Sequence, residues 1–261
     1  MGTTQKTAHT SIPLAEQRRR HLPAGAAFGW LSEGWRDLWR NPLPSLLYGF
    51  AVFLLSLAIV WCLFRFQLDY ILFPALAGFM VVGPLVAIGL YRKSRDIEEG
   101  VRPSLARMVL VKAASGAQVW YTGAILCLLM LVWMRAAVII YALFMGLRPF
   151  PGLDRIVTML FSTTEGLGMI FVGTVVGGLF AAFSFAISTF AIPMLLAERT
   201  DAFTAMGTSI SLVFRNLPVM LVWGAIVLAL SAIGIVTGLL GLIIIFPLLG
   251  HGTWHSYKAI R

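Results

Sequence analysis

One arginine and two histidines are the residues best placed to do chemistry in this chain. Arg135 lies in the string LLMLVWMRAAVII, deep inside an apolar run. A cation in hydrocarbon costs a few kcal/mol or more, so it must face protein, water or a carboxylate, or snorkel to the headgroups. Asp154, Glu165 and a carbonyl freed by Pro84 are the expected partners. His251 and His255 stand at i, i+4 in GHGTWHSYK and share one helix face. That spacing can supply two metal ligands or contribute axial haem ligands. No Glu adjoins the first histidine, and no third ligand is evident. His9 and His21 fall in the N-terminal tail, and Met194 is the one suggestive soft donor. The pair is read as interfacial hydrogen-bonding residues beside Trp254 and Tyr257. Metal or haem ligation is the alternative, and no cofactor is assigned. The sequence shows no nucleophile–base pair, phosphate loop, nucleotide fingerprint or carboxylate dyad, so a non-enzymatic role is expected.

The elements that carry these residues are membrane spans. The chain is 59% hydrophobic and 12% charged, whereas a soluble domain carries about 25% charged residues. Several apolar runs reach about 20 residues, enough to cross a hydrocarbon core about 30 Å thick. An all-α, polytopic transmembrane bundle follows, and soluble or disordered classes are excluded. The net charge of +9 suits basic cytoplasmic loops, and nucleic acid is not an expected partner. Cys62 and Cys127 fall inside apolar runs and are read as packing residues.

Residues 1–24 form a basic tail, expected to be flexible and cytoplasmic. They hold Arg18, Arg19 and Arg20 but no signal-peptide core, so the first span is expected to serve as an uncleaved insertion signal. Residues 25–261 form one transmembrane domain. Residues 26–40 place Phe28, Leu31, Trp35, Leu38 and Trp39 on one helical face, the pattern of an interfacial helix. Spans are expected at 43–64, 70–91, 119–146, 167–197, 218–235 and 239–257. The last two divide a 39-residue apolar stretch, 219–257, which as one helix would be about 58 Å long. Sixteen Lys and Arg fall on one side of this arrangement and three on the other. Both termini are therefore expected in the cytoplasm, with five spans and an external C-terminus as the alternative.

An internal repeat organises the spans. Trp39-Arg40-Asn41-Pro42 before span one parallels Phe214-Arg215-Asn216-Leu217-Pro218 before span five. Pro84, Gly89 and Tyr91 parallel Pro247, Gly252 and Trp254, and Pro193 is the weaker counterpart in span four. Three units result, each an amphipathic leading helix and a hairpin of two spans; residues 104–117 lead the middle unit. Pro84, Pro193 and Pro247 are read as packing kinks, with a hinge or a cavity-facing carbonyl as the alternative. The Gly173/Gly177 and Gly234/Gly238 pairs permit close helix approach, within the chain or in a dimer. The charged segment 95–103 is read as a solvated loop, with partner docking as the alternative.

Four strings carry a resemblance: RDIEEGVRPSL (95–105), FSTTEGLGMIFVGTVVGG (161–178), FAIPMLL (190–196) and FPLLGHGTWHSYK (246–258). They resemble the bacterial integral membrane proteins of domain-of-unknown-function family 2189, over about residues 25–261. The resemblance implies a helical protein of the inner membrane and carries no activity. A cytochrome oxidase label, attached to some members, does not suit a chain with two candidate haem ligands. Three functional readings stand open. The leading one is an accessory, scaffold or small-molecule-binding protein whose partners are the lipid bilayer and a second copy or another membrane protein. A transporter or channel with a polar cavity near Arg135 is the second, since repeats and kinked helices mark many transporters. A redox or metal protein using His251 and His255 is the third.

Overall fold

A computed structural model of the chain describes residues 22–146, 148 and 150–261, without the side chains of residues 153 and 154. The expected tail lies, through residue 21, outside the described residues, together with His9 and His21. The described residues form helices and connecting turns: α1 (Ala26–Trp39), α2 (Pro42–Arg65), α3 (Leu72–Val86), α4 (Ile88–Glu98), α5 (Leu105–Val109) and α6 (Gln118–Met145), then α7 (Leu153–Ser162), α8 (Thr164–Ser188), α9 (Ala191–Ala197), α10 (Ala202–Arg215), α11 (Leu217–Val236) and α12 (Leu242–Ile260). A 3-10 turn, Asp69–Ile71, precedes α3.

Five stretches are long and apolar enough to cross a bilayer: Pro42–Arg65, Asp69–Glu98, Gln118–Met145, Thr164–Ala197 and Leu217–Val236. The chain is thus an all-helical membrane protein. The stretch expected as a sixth span, 239–257, coincides with α12, which is not among these five. Its first half is apolar, but from His251 onward it carries polar and aromatic side chains buried against other helices. Residues 147–166, expected as a polar loop, contain α7, an amphipathic helix packed on α8.

Two of the helix breaks lie close to prolines. Proline lacks an N–H and leaves the carbonyl four residues earlier without its helical donor. Inside a bilayer such freed groups need protein partners. The chain breaks between α8 and α9 at Thr189–Phe190, just before Pro193. There Ser209 of α10 accepts from the Phe190 N–H (3.1 Å) and donates to the Ala186 carbonyl (2.7 Å). The α3–α4 break at Ala87 follows Pro84, and the Tyr48 hydroxyl donates to the Val86 carbonyl at 2.6 Å. Around Pro247, α12 runs unbroken.

The units interlock in a ring. Each closing helix packs on the leading helix of the next unit: α4 on α5, α9 on α10, and α12 on α1. The spans follow the same rule in two places, since α2 packs chiefly on α12 and α3 on α6. Consequently α2 and α3 pack on other units more than on each other. At the third junction α8 and α11 make no comparable contact. The ring closes where α1 crosses α12. A Cβ on Gly34 would lie 2.7 Å from the Gly252 backbone nitrogen, so position 34 needs glycine for this approach.

Candidate functional site

The most unusual residue in the structure is Lys93, a lysine with no solvent exposure. It sits on α4, which continues beyond Tyr91 as a helix with Leu90, Lys93, Ser94 and Asp96 turned inward. Helical spacing from the buried Gly89 and Leu90 carries these polar side chains into the protein. The segment 95–103, read as a solvated loop, is helical through Glu98, with Asp96 buried and Glu98, Glu99 and Gly100 exposed.

An ammonium group has three hydrogens to donate, and Lys93 has three acceptors. They are the Leu38 carbonyl (3.3 Å), the Asn41 carbonyl (2.8 Å) and Ser45 Oγ (2.7 Å). The two carbonyls stand at and just beyond the C-terminal end of α1, where the helix dipole favours a cation. Because Ser45 accepts from Lys93, its own hydrogen is free for His251 Nε2 at 2.9 Å. That leaves His251 Nδ1 protonated and donating to Ser94 Oγ at 2.8 Å. Ser94 in turn donates to the Asp37 carboxylate. His255 Nε2 bonds the same carboxylate at 2.8 Å, and its Nδ1 lies 3.1 Å from Glu33 Oε2. The result is one directional chain from a buried cation to a buried carboxylate, through a neutral imidazole. It ties α1, α2, α4 and α12 together.

His255 lies beyond the apolar half of α12 and Asp37 lies on α1, both outside the five spans. Burial raises the Asp37 pKa, but the His255 and Ser94 hydrogen bonds and the charge of His255 outweigh it, leaving the carboxyl below its ordinary value. Burial lowers the His255 pKa, but the Asp37 hydrogen bond and the charges of Asp37, Glu33 and Glu98 raise it above its ordinary value.

Further pairs extend this knot. Asp96, fully buried, receives Arg92 (2.9 Å) and both ends of a bidentate Arg107 fork (2.8 Å each), which joins α4 to α5. The Trp254 indole donates to Glu98 at 2.9 Å. Glu198, just after α9, receives the Tyr257 hydroxyl (2.6 Å) and Arg261. All three units therefore meet at the basic end of the bundle.

His251 and His255 lie one turn apart as expected, and each ring nitrogen has a protein partner. Among the described residues no group of three or more His, Cys, Asp or Glu is placed to hold a metal ion. Arg135 is exposed on the outer surface of α6 and makes no ion pair with a described residue. Glu165 is exposed on α8, and the Asp154 side chain lies outside the described residues. Gly177 packs against the Trp133 ring of α6, Gly173 has nothing of the chain within 4 Å, and Gly234 faces Leu242. Gly238 takes a left-handed conformation (φ 67°) in the turn between α11 and α12. Two cavities stand out. One is an apolar cleft of about 80 Å³ between α2, α3, α11 and α12, lined by Val60, Leu76, Phe79, Ile235 and Phe246 among others. The other is an open depression at the α1–α2 junction. Neither is lined by Arg135, His251 or His255.

A family of predicted integral membrane proteins, DUF2189, has a model that matches residues 72–197. Over that segment, just under half of the chain, the protein is similar to this family. No curated protein and no solved structure matches the chain. The DUF2189 match is narrower than the 25–261 suggested by the sequence strings. It runs from α3 through α9 and includes Lys93, Ser94, Asp96 and Arg135. Asp37, Ser45, His251 and His255 lie outside it. The knot thus joins the DUF2189 segment to the flanking helices that complete the ring. Sequence reasoning found the two histidines but missed Lys93, Ser94, Ser45 and Asp37. The available signal was the unbroken helical spacing of Gly89, Leu90, Lys93, Ser94 and Ile97 past the end of span two.

Proposed function

We propose that this protein is a non-enzymatic accessory or scaffold of the membrane, which packs laterally against another membrane-embedded protein. The observation that carries this reading is the unfilled third junction of the ring. By the pattern of the other two units, α8 should pack on α11. Instead only Phe185 of α8 comes within about 3.8 Å of where a Gly224 Cβ on α11 would stand, while Leu179 and Phe183 of α8, and Leu221 and Leu228 of α11, are exposed. Lipid can cover such a seam. A protein helix fits better where small residues let backbones approach, and Gly173 of α8 has nothing of its own chain within 4 Å. The polar knot has its donors and acceptors matched within the protein, as a structural clamp requires. Neither Lys93, His251, His255 nor Asp37 lines either of the two cavities described, which favours scaffolding over transport.

The reading also places the basic end, with both termini, in a cytoplasm. Photo-crosslinking residues at positions 179 and 221, activated in native membranes, test the partner. Discrete protein adducts are expected, and a second copy would appear as a dimer-sized band. Lipid adducts alone at both positions would sink the proposal. Labelling of a tag at Arg261 from the cytoplasmic side tests the orientation.

A further inference from the structure

The depression at the α1–α2 junction is lined by Arg40, Asn41, Ile97, Gly100, Val101, Arg102 and Pro103, and encloses about 580 Å³. Its walls are fixed. Asn41 is held in a left-handed conformation (φ 73°), its carbonyl takes a hydrogen bond from Lys93, and its amide donates to the Pro103 carbonyl at 3.3 Å. The opposite wall turns at Gly100 (φ 69°), and the Val101 N–H is tied to the Asp96 carbonyl.

Several guanidinium groups of the basic end are already neutralised. Arg36, Arg92, Arg95, Arg107 and Arg261 each pair with a carboxylate. Arg40 and Arg102 are both exposed and make no ion pair with a described residue. Two guanidinium groups lining one depression form a receptor for a phosphate-type anion, which arginine binds through paired N–H donors. The surroundings are apolar. Trp39 and Leu43 are exposed on the α1 and α2 side, and Val109 and Leu110 on the α5 side. Leu43 begins the first span, so the depression lies at headgroup depth, with tryptophans where an interfacial belt belongs.

We infer that this depression binds the phosphate of an anionic membrane lipid. Arg40 and Arg102 hold the headgroup, and the exposed apolar residues lie along its acyl chains. The site is independent of the lateral partner proposed above.

The test uses the full chain in mixed micelles containing equal phosphatidylglycerol and phosphatidylcholine, with retained lipids counted by native mass spectrometry. Preferential retention of phosphatidylglycerol is expected. The double variant Arg40→Gln/Arg102→Gln should weaken it about 30-fold, from two lost lysine- or arginine-type contacts at an anionic surface. A control double variant, Arg199→Gln/Arg215→Gln, removes the same charge elsewhere and should leave it unchanged. Equal loss in both doubles would overturn the proposal, because only net charge would then matter. Inorganic phosphate added at millimolar concentration distinguishes a free-anion site: complete displacement of the lipid by it would also overturn the proposal. If the Gln double fails to fold, the wild-type lipid preference and Arg40→Lys/Arg102→Lys, which keeps charge but loses the paired donors, decide instead. The Lys double should show intermediate retention, and retention equal to wild type would refute paired guanidinium recognition.

Discussion

Replacing Lys93 with methionine keeps much of the side-chain length and removes the charge. The structure shows what is left behind. The Leu38 and Asn41 carbonyls and Ser45 Oγ each lose their donor in a place that water does not reach. A buried group without a partner costs about 1–3 kcal/mol, and breaking one side of a buried charged network costs about 3–5 kcal/mol. We expect Lys93→Met to lose about 3–5 kcal/mol, a large share of a typical stability of about 5–15 kcal/mol. The loss should be local before it is global, because Lys93 holds the C-terminal end of α1. Hydrogen exchange of residues 26–39 in detergent should rise first, followed by a lower unfolding midpoint. Coupling gives a second reading. Ser45 links Lys93 to His251, so Ser45→Ala and Lys93→Met should combine for less than the sum of their costs, by about 1 kcal/mol or more. A Lys93→Met protein within about 0.5 kcal/mol of wild type, with unchanged exchange in α1, would refute the clamp.

The His255–Asp37 pair makes the same anchor depend on pH. The raised His255 pKa contributes stability that is full below the unfolded value of about 6.5 and is lost as pH rises through the folded value. The lowered Asp37 pKa contributes stability present above about 3.9 and lost as pH falls through its folded value. Intrinsic-rate-corrected exchange of α1 should therefore be slowest between about pH 4 and 6.5 and faster at pH 8, and Asp37→Asn should flatten the profile. A flat wild-type profile would contradict the pair. Gly34→Ala puts a methyl 2.7 Å from the Gly252 backbone nitrogen, which no rotamer change relieves. A loss of about 1–3 kcal/mol is expected from chemical denaturation, and a neutral variant would mean the crossing is looser than drawn. Arg135→Leu removes an exposed cation from the α6 surface and should favour insertion, by up to about 3 kcal/mol in a translocon assay, without lowering the unfolding midpoint. A fall in midpoint would assign Arg135 an internal partner.

Five of the expected spans were legible in the sequence because hydrophobic run length is a local signal. Span one, expected at 43–64, is Pro42–Arg65, and span three, expected at 119–146, is Gln118–Met145. The candidate site was legible only in part. His251 and His255 stood out by residue type, yet their partners come from positions about 160 and 220 residues away. No local pattern shows which distant helix will face a histidine. The charged string from Arg92 to Glu99 misled for a related reason. Charge density reads as solvation, whereas Lys93 and Asp96 are buried because α1 and α5 supply oppositely charged or dipolar ends for them. Nor could the sequence show that α2 and α3 part to pack on other units, since adjacency in the chain suggests a hairpin.

The clamp and the open seam are two consequences of one distribution of packing. Only 17–22% of an apolar 18-residue stretch in each of the five spans is buried, and apolar surface gains nothing by leaving lipid for a neighbouring helix. Cohesion therefore collects at the basic end, where hydrogen bonds and ion pairs join all three units. The seam between α8 and α11 stays available at little cost to the monomer. Two glycines on one helix separate the roles. Gly177 lies against Trp133, where a Cβ would approach the ring to 2.9 Å, whereas Gly173 meets nothing of its own chain. Gly177→Leu should overpack the interior and lower stability by about 1–3 kcal/mol. Gly173→Leu should leave the unfolding midpoint within about 0.5 kcal/mol of wild type and abolish the protein adducts formed from position 179. If Gly173→Leu leaves those adducts intact, the partner does not sit on this face of α8. If it lowers the midpoint as much as Gly177→Leu does, the open seam is closed by the chain itself, and the basis for a lateral partner is gone.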